Sequence, residues 1–424
     1  MTPSARVAAA IGILDDIARA DSPADAILRD WGRRNRFAGS KDRRAIRDLV
    51  YRDLRDGARF RWLAATQGGD PGNSRSRMIV ACEIEEPGSA AGLFDGSGYG
   101  PVALDEAEAA LAAGLSGLDD AAVPAWARAN CPEDLFALFE AQWGAETEAE
   151  LAALNERAPV DIRVNTLRAT RADVQAGLAA AGYETGPTPI SPAGLRGGEN
   201  ARLTDLPPFR DGLADPQDES SQIVASLCGA RSGMTVIDLC AGAGGKALAL
   251  AADMEDSGDI IACDISAARL SRMEPRAARL GAGNIRLLPL PDGVPPDDLA
   301  GTADAVLADA PCSGSGTWRR SPEQRWRTTP GTIAEYAKVQ AGILEGAAAL
   351  VKPGGRLVYA VCSLFDAEGR DIASAFADAH PEYHRVPVSG LLEGLEDGPD
   401  GTMLLTPRRQ GTDGMFAAVF ERVE

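Results

Sequence analysis

The sequence predicts a multidomain chain: an all-α region over residues 1–120, a small α/β subdomain over 121–212, and a doubly wound α/β domain over 213–424. Three observations predict it. Apolar residues recur at three-to-four spacing through the first region. A single alternating stretch, Val160–Thr166, stands among helical patterns in the second. From about residue 213, short apolar runs alternate with helical segments, the pattern of a sheet that is parallel through at least its first five strands.

In chain order, helices are expected at Val7–Ala20, Pro23–Asn35, Lys41–Gln67 and Leu104–Leu115, with breaks at Gly68–Ser76 and Glu86–Pro101. Cys131–Trp143, Glu146–Glu156 and Arg171–Ala181 read as helices, and Gly182–Pro208 as turn-rich. The third region offers seven strands: Thr235–Cys240, Asp259–Asp264, Asn284–Leu290, Ala305–Pro311, Arg356–Cys362, Tyr383–Pro387 and Met415–Glu421. Before the fifth, Thr332 and Glu335 suggest a capping box, and Pro353-Gly354-Gly355 a helix end.

Hydrophobic residues make up 45% of the chain and charged residues 25%, ordinary for a globular protein, and charge interrupts every apolar run before it could span a bilayer. Val7–Leu14 is broken by Asp15 and Asp16 and reads as an amphipathic helix rather than a leader. Seven cysteines, an odd number without a Cys-x-x-Cys pair, argue against a disulfide framework or a zinc site and favour the reducing cytoplasm. The two histidines, His380 and His384, flank Pro381 and match no metal-binding helix; no metal and no membrane partner is expected. A net charge of −19 opposes nucleic-acid binding, but it is unevenly spread. Arg29–Arg77 holds 14 Arg and Lys against 6 Asp, a local net of +8, and Trp318–Arg327 sets four arginines against Glu323. Two basic islands on an acidic body are compatible with a local RNA track.

Three motifs carry chemistry. Asp238-Leu239-Cys240-Ala241-Gly242-Ala243-Gly244-Gly245-Lys246 leads a buried strand through a glycine-rich turn into a helix whose N-terminus offers unpaired N–H groups. Asp264 ends the next strand 20 residues after Gly244, the spacing at which a carboxylate accepts hydrogen bonds from a ribose. Together they point to a nucleoside cofactor; NAD stays open on this motif alone. Asp309-Ala310-Pro311-Cys312-Ser313-Gly314-Ser315-Gly316 follows the fourth strand, and Val361-Cys362-Ser363 the fifth. Two cysteines at matching strand ends can meet in one cleft. Cys82, Cys131, Cys228, Cys240 and Cys263 read as small apolar residues.

These residues resemble the bacterial RNA 5-methylcytosine methyltransferases, most closely the B type of 16S rRNA cytosine-5 methyltransferase. The resemblance rests on Asp309–Gly316, Val358–Leu364, Arg163–Arg168, Gln217–Gln222 and Gly411–Phe416. It extends to Asp42–Leu63, which is similar to a NusB-type helical RNA-binding domain. It implies a Rossmann-like, seven-stranded methyltransferase domain, S-adenosyl-L-methionine as cofactor, and RNA, ribosomal RNA above all, as partner. Carbon 5 of cytosine is a poor nucleophile; a thiolate adding to carbon 6 makes it electron-rich. By the resemblance Cys362 is that nucleophile, Cys312 assists release, and Asp309 contacts the ring. Asp238, Cys240–Lys246, Asp264 and Asp309 hold the cofactor, with Lys246 reaching the active site. From the residues alone, either thiol could attack.

Departures are local. The family's Cys-Ala-Ala-Pro-Gly-Gly-Lys-Thr stands as Cys240–Ala247, without the proline and threonine, and its Thr-Cys-Ser as Val361-Cys362-Ser363. Its acidic-Asn run stands as Asp366–Arg370. The altered turn favours one rival, a non-catalytic RNA-binding or ribosome-assembly factor; both retained thiols oppose it. An NAD-dependent oxidoreductase leaves Asp309–Gly316 unexplained.

Overall fold

The computed structural model describes residues 1–117, 120–198 and 202–423. The chain forms two compact units: Met1–Glu156 with Trp318–Thr329, and Arg157–Thr317 with Pro330–Glu424. The first takes in the helices Glu133–Trp143 and Thr147–Asn155, which the sequence groups with the small subdomain. The expected boundary near 120, and residues 199–201 of the turn-rich stretch, fall at or beside positions outside the described residues.

The first unit is helical. Its long helices are α1 (Pro3–Arg19), α2 (Ala24–Arg34), α3 (Ser40–Thr66) and α4 (Ser74–Glu85). The hydroxyl of Thr2 caps α1 by accepting from the Ala5 N–H, and Asn73 caps α4 through the Arg75 N–H. Ile13, Leu14, Ile46, Phe60, Leu63 and Met78 form the core they share. Helix α4 follows so soon after the Gly68–Ser76 break that the sequence reading left it out.

Much of the second basic island is buried. Trp318 and Arg325 are fully buried, and Arg319 nearly so. Arg325 donates to the Asn130 carbonyl at 2.6 Å and to Asn155 Oδ1 at 2.9 Å. Arg327 donates to the carbonyls of Ile17, Ala20 and Ser22 at the end of α1, and Trp326 Nε1 to that of Leu54. Two tryptophans draw the stretch into the helical core, and Arg325 and Arg327 satisfy backbone carbonyls there, so burial withdraws Arg319 and Arg325 from the expected RNA track at Trp318–Arg327 and leaves Arg320 exposed. The first island divides. Arg77 is buried against Asp53 at 2.9 Å, whereas Arg29, Arg33, Arg34, Arg36, Lys41, Arg43 and Arg44 are exposed, as is Phe37 at 73%.

The second unit holds two sheets. The smaller is antiparallel, in order β2-β3-β1-β4, from β1 (Val160–Val164), β2 (Thr185–Pro187), β3 (Gly194–Gly197) and β4 (Ala214–Pro216). Asn165, just past β1, donates to the carbonyls of Gly212 and Leu280, and Asp215 on β4 pairs with Arg276 and Arg279. These buried contacts tie the small sheet to the helix Met273–Leu280 of the large one.

The large sheet comprises β5 (Thr235–Asp238), β6 (Asp259–Asp264), β7 (Ile285–Pro289), β8 (Ala303–Asp309), β9 (Val351–Val361), β10 (Tyr383–Val386), β11 (Met403–Leu405) and β12 (Met415–Arg422). Seven follow the order β10-β12-β9-β8-β5-β6-β7, and β11 pairs with β12. Strands β5 to β9 are parallel; β12 is antiparallel to β9 and β10. Apolar clusters cover both faces, as a doubly wound sheet requires. The connection reverses direction between β5 and β8, and a crevice opens there at the strands' carboxyl ends.

One boundary is corrected. The helix before β9 runs Pro330–Leu350, so Thr332 lies inside it and does not cap it; Pro330 supplies the first turn. Pro353-Gly354-Gly355 lies within β9, where Val351 pairs with Ala303 and Arg356 already with Ala305, a bulge rather than a helix end.

Candidate active site

The glycine-rich turn between β5 and the helix Gly245–Asp253 has two residues in the left-handed region, Gly242 at φ 56° and Gly244 at φ 84°. A Cβ on Gly244 would strike the Met273 side chain, so both backbone and space demand glycine there. The turn lacks the family's proline, yet it is pinned from outside. Asp264 Oδ2 accepts from the Gly242 N–H at 2.9 Å, and Arg276 donates to the Ala243 carbonyl at 2.5 Å. Gly242, Ala243 and Gly244, expected to hold the cofactor, shape the turn and line neither of the cavities beside it.

Asp264 is 4% exposed. Oδ1 accepts from the Ser266 N–H, and Oδ2 accepts from the Gly242 N–H and faces the Arg269 guanidinium at 3.4 Å, which leaves Oδ1 with a lone pair for a ligand. It faces a cavity of about 500 Å³ whose lining includes Cys240, Ile265, Asp309, Cys312 and Cys362. Ile265, 67% exposed, offers an apolar surface beside it. A second cavity of about 210 Å³ is lined by Gln217, Asp218, Ser221, Asp238, Ala241, Gly245 and Lys246, and shares Cys240 and Asp309 with the first.

Asp238 is 1% exposed, and neither carboxylate oxygen has a hydrogen bond of good geometry, although the Ala247 amide lies nearby. Burial, then the charges of Asp309 and Asp264, push its pKa up to about 7 against the pull of Lys246. Gln217 Nε2 is likewise buried without a partner. Lys246 Nζ donates to Asp309 Oδ2 at 2.5 Å. Burial works to lower the Lys246 pKa, but Asp309, with lesser help from Cys362 and Asp238, outweighs it and holds the ammonium above its ordinary value.

The two thiols meet. Cys312 Sγ and Cys362 Sγ lie 3.3 Å apart, brought together by the ends of β8 and β9. The hydrogen bond with Cys362, then burial, raise the Cys312 pKa well above that of a free thiol, so Cys312 keeps its proton. The loops are cross-tied: the Gly316 N–H donates to the Cys362 carbonyl at 3.0 Å, and the Gly414 N–H to the Gly316 carbonyl at 2.8 Å.

The structure thus gathers Asp238, Cys240, Ala241, Gly245, Lys246, Asp264, Asp309, Cys312 and Cys362 around two adjoining cavities. It adds Gln217, Asp218, Ser221 and Ile265. The first three lie in the Gln217–Gln222 segment that the sequence singled out without a role. Ile265 differs from a core isoleucine only by its exposure, which no sequence pattern marks.

Residues 226–421 match the family model for the 16S rRNA methyltransferase RsmB/F. Residues 131–199 match the RsmF/B-like ferredoxin-like domain. The chain belongs to the RsmB/F family. It is 37% identical over 295 residues to a probable ribosomal RNA small subunit methyltransferase B of Synechocystis sp., covering 68% of this chain and 66% of that protein. It is 35% identical over 283 residues to the ribosomal RNA small subunit methyltransferase B of Salmonella newport, covering 66% of this chain and 62% of that one. The matches thus span slightly under two thirds of these curated relatives. Among solved structures, PH0851 shares 26% identity at a TM-score of 0.80, over 100% of this chain and 99% of that one. A methyltransferase homolog protein from Pyrococcus horikoshii shares 27% at a TM-score of 0.61, over 72% of this chain and 100% of its own. The RsmB/F domain contains every residue of the thiol pair and the two cavities except Gln217, Asp218 and Ser221.

Proposed function

We propose that this chain is a cytoplasmic enzyme that transfers a methyl group from S-adenosylmethionine to carbon 5 of a cytosine in RNA, with small-subunit ribosomal RNA as the substrate its relatives' names suggest. The observation that carries this reading is the thiol pair at 3.3 Å beside the Lys246–Asp309 pair.

The residues fit the cofactor. Asp264 Oδ1 has a lone pair for a ribose hydroxyl, and Ile265 an apolar surface for a flat ring. The buried carboxylate of Asp238, lacking a well-aligned donor, suits a ligand ammonium, and Gln217 Nε2 a carboxylate. S-adenosylmethionine, when bound, supplies an electrophilic methyl group on a sulfonium. Cys362 acts as the nucleophile at ring carbon 6. After methyl transfer the carbon 5 proton leaves to water as the carbon 6–sulfur bond breaks and expels the Cys362 thiolate, and Cys312, whose sulfur lies 3.3 Å from that of Cys362, assists this release. Asp309, fixed by Lys246, contacts ring nitrogen 3 and stabilises the adduct. The helical unit serves as a NusB-type RNA-binding domain, its cations from Arg29 to Arg44 meeting phosphates and Phe37 stacking on a base.

The test is transfer of labelled methyl from S-adenosylmethionine to small-subunit RNA from cells lacking this gene, with the position mapped by bisulfite sequencing. One new 5-methylcytosine is expected. Absence of transfer to any RNA, with cofactor binding intact, would favour an assembly factor.

A further inference from the structure

The sequence gives Glu368 no role, yet it is completely buried, and among the described residues no lysine or arginine pairs with it. A buried carboxylate is expensive to desolvate, so its neutral partners must hold it well. Oε1 accepts from the Ser313 N–H at 2.8 Å and from Gln340 Nε2 at 3.1 Å. Oε2 accepts from Ser363 Oγ at 2.6 Å and from Ser313 Oγ. The Glu368 carbonyl accepts from Tyr359 OH at 2.5 Å, which anchors the residue to β9 itself.

Ser313 follows Cys312 directly, and Ser363 follows Cys362. One carboxylate therefore grips the neighbours of both cysteines, and it lines neither cavity. Ser315 extends the tie: its hydroxyl lies 3.2 Å from that of Ser363 and accepts from the Leu364 N–H at 2.8 Å. We propose that Glu368 is a positioning residue that clamps the Cys312 and Cys362 turns together, so that the two sulfurs stay face to face for attack and release. This rests on the covalent reading of the thiol pair given above. The carboxylate touches neither substrate nor sulfur; it acts through Ser313 and Ser363. Its charge adds, after the Cys362 contact and burial, to the causes that keep Cys312 protonated.

The test separates this clamp from methyl transfer. Diamide oxidises two adjacent thiols to a disulfide, its diazene taking up both electrons and both protons, so the rate of Cys312–Cys362 crosslinking in the reduced full chain reports their alignment without RNA or cofactor. Glu368→Ala should slow crosslinking by about tenfold and single-turnover methylation by about a hundredfold, the loss expected of a misplacement near 1 Å. Cofactor affinity should stay within about twofold of wild type, since Glu368 lines neither cavity. Glu368→Gln, whose amide can still accept from the Ser313 N–H and exchange hydrogen bonds with both hydroxyls, should restore crosslinking to within about threefold. Should Glu368→Ala fail to fold, the Ser313→Ala/Ser363→Ala double variant removes both hydroxyl contacts to Oε2 with little change in volume, keeps the Ser313 N–H contact to Oε1, and should also slow crosslinking. Crosslinking at the wild-type rate in the folded Glu368→Ala chain, or in the double variant, overturns the clamp. Slowed crosslinking in a family of variants whose wild type methylates no RNA supports the clamp and overturns the proposed activity instead.

Discussion

Asp238→Asn should make the protein more stable at neutral pH and less able to bind its cofactor. Asp238 ends β5 at 1% exposure, with its pKa pushed up to about 7 by burial and by the charges of Asp309 and Asp264. A carboxyl moved from about 4 in the unfolded chain to about 7 in the folded one corresponds to about 4 kcal/mol between its two forms. The sign follows from the raised value. The protonated form is the one the fold tolerates, so this contribution is fully present below about pH 4 and is lost as pH rises through about 7. Asparagine keeps the shape and carries no charge to lose. Urea denaturation at about pH 5 and about pH 8 tests this, because the difference between wild type and variant cancels other titrating groups, among them Asp253, which burial also raises, to about 6. The wild type should lose a few kcal/mol more than the variant over that interval. A ligand ammonium seated at Asp238 should reverse the penalty, so wild-type cofactor affinity should rise across the same pH range and that of the variant should not. Identical stability profiles in the two proteins would refute the claim that Asp238 is an uncompensated buried carboxyl.

Two further outcomes are expected in the helical unit. Arg325→Ala strands the Asn130 carbonyl and Asn155 Oδ1, and should lower stability by about 2–4 kcal/mol while leaving the salt dependence of RNA binding unchanged; a folded, equally stable variant with weakened RNA affinity would return Trp318–Arg327 to the binding surface. Reversing Arg36, Lys41 and Arg44 to glutamate should weaken RNA binding and flatten its salt dependence by about one phosphate contact per residue; filter binding at several salt concentrations measures this, and unchanged slopes would show that these cations are merely solvated.

The parallel sheet was legible because its strands are short apolar runs between helical patterns: β6 was delimited to the residue and most others to within two. The chemistry was legible because it sits at strand ends, so Asp309-Ala310-Pro311-Cys312 and Val361-Cys362 could be placed at one edge without coordinates. What escaped depends on tertiary partners. The short strands β2, β3, β4 and β11 have three or four residues each, too few for a period to show, and β3 and β4 also depend on β1, far along the chain. Arginine is arginine in a sequence, whether it faces solvent like Arg44 or fills a core like Arg325. Glu368 lies in a segment of family likeness, but nothing local reveals that its partners are the serines beside both cysteines.

The central claim is that Cys362 attacks the base and Cys312 lets it go. The direct measurement is a denaturing gel of each variant with RNA and S-adenosylmethionine. Both thiols lie in one hydrogen-bonded pair, with their sulfurs 3.3 Å apart. Cys312→Ala should therefore accumulate a protein–RNA adduct that survives denaturation, while Cys362→Ser should form none and transfer no methyl group. An adduct from Cys362→Ser and none from Cys312→Ala would exchange the two roles, and wild-type turnover by both variants without any adduct would contradict covalent catalysis.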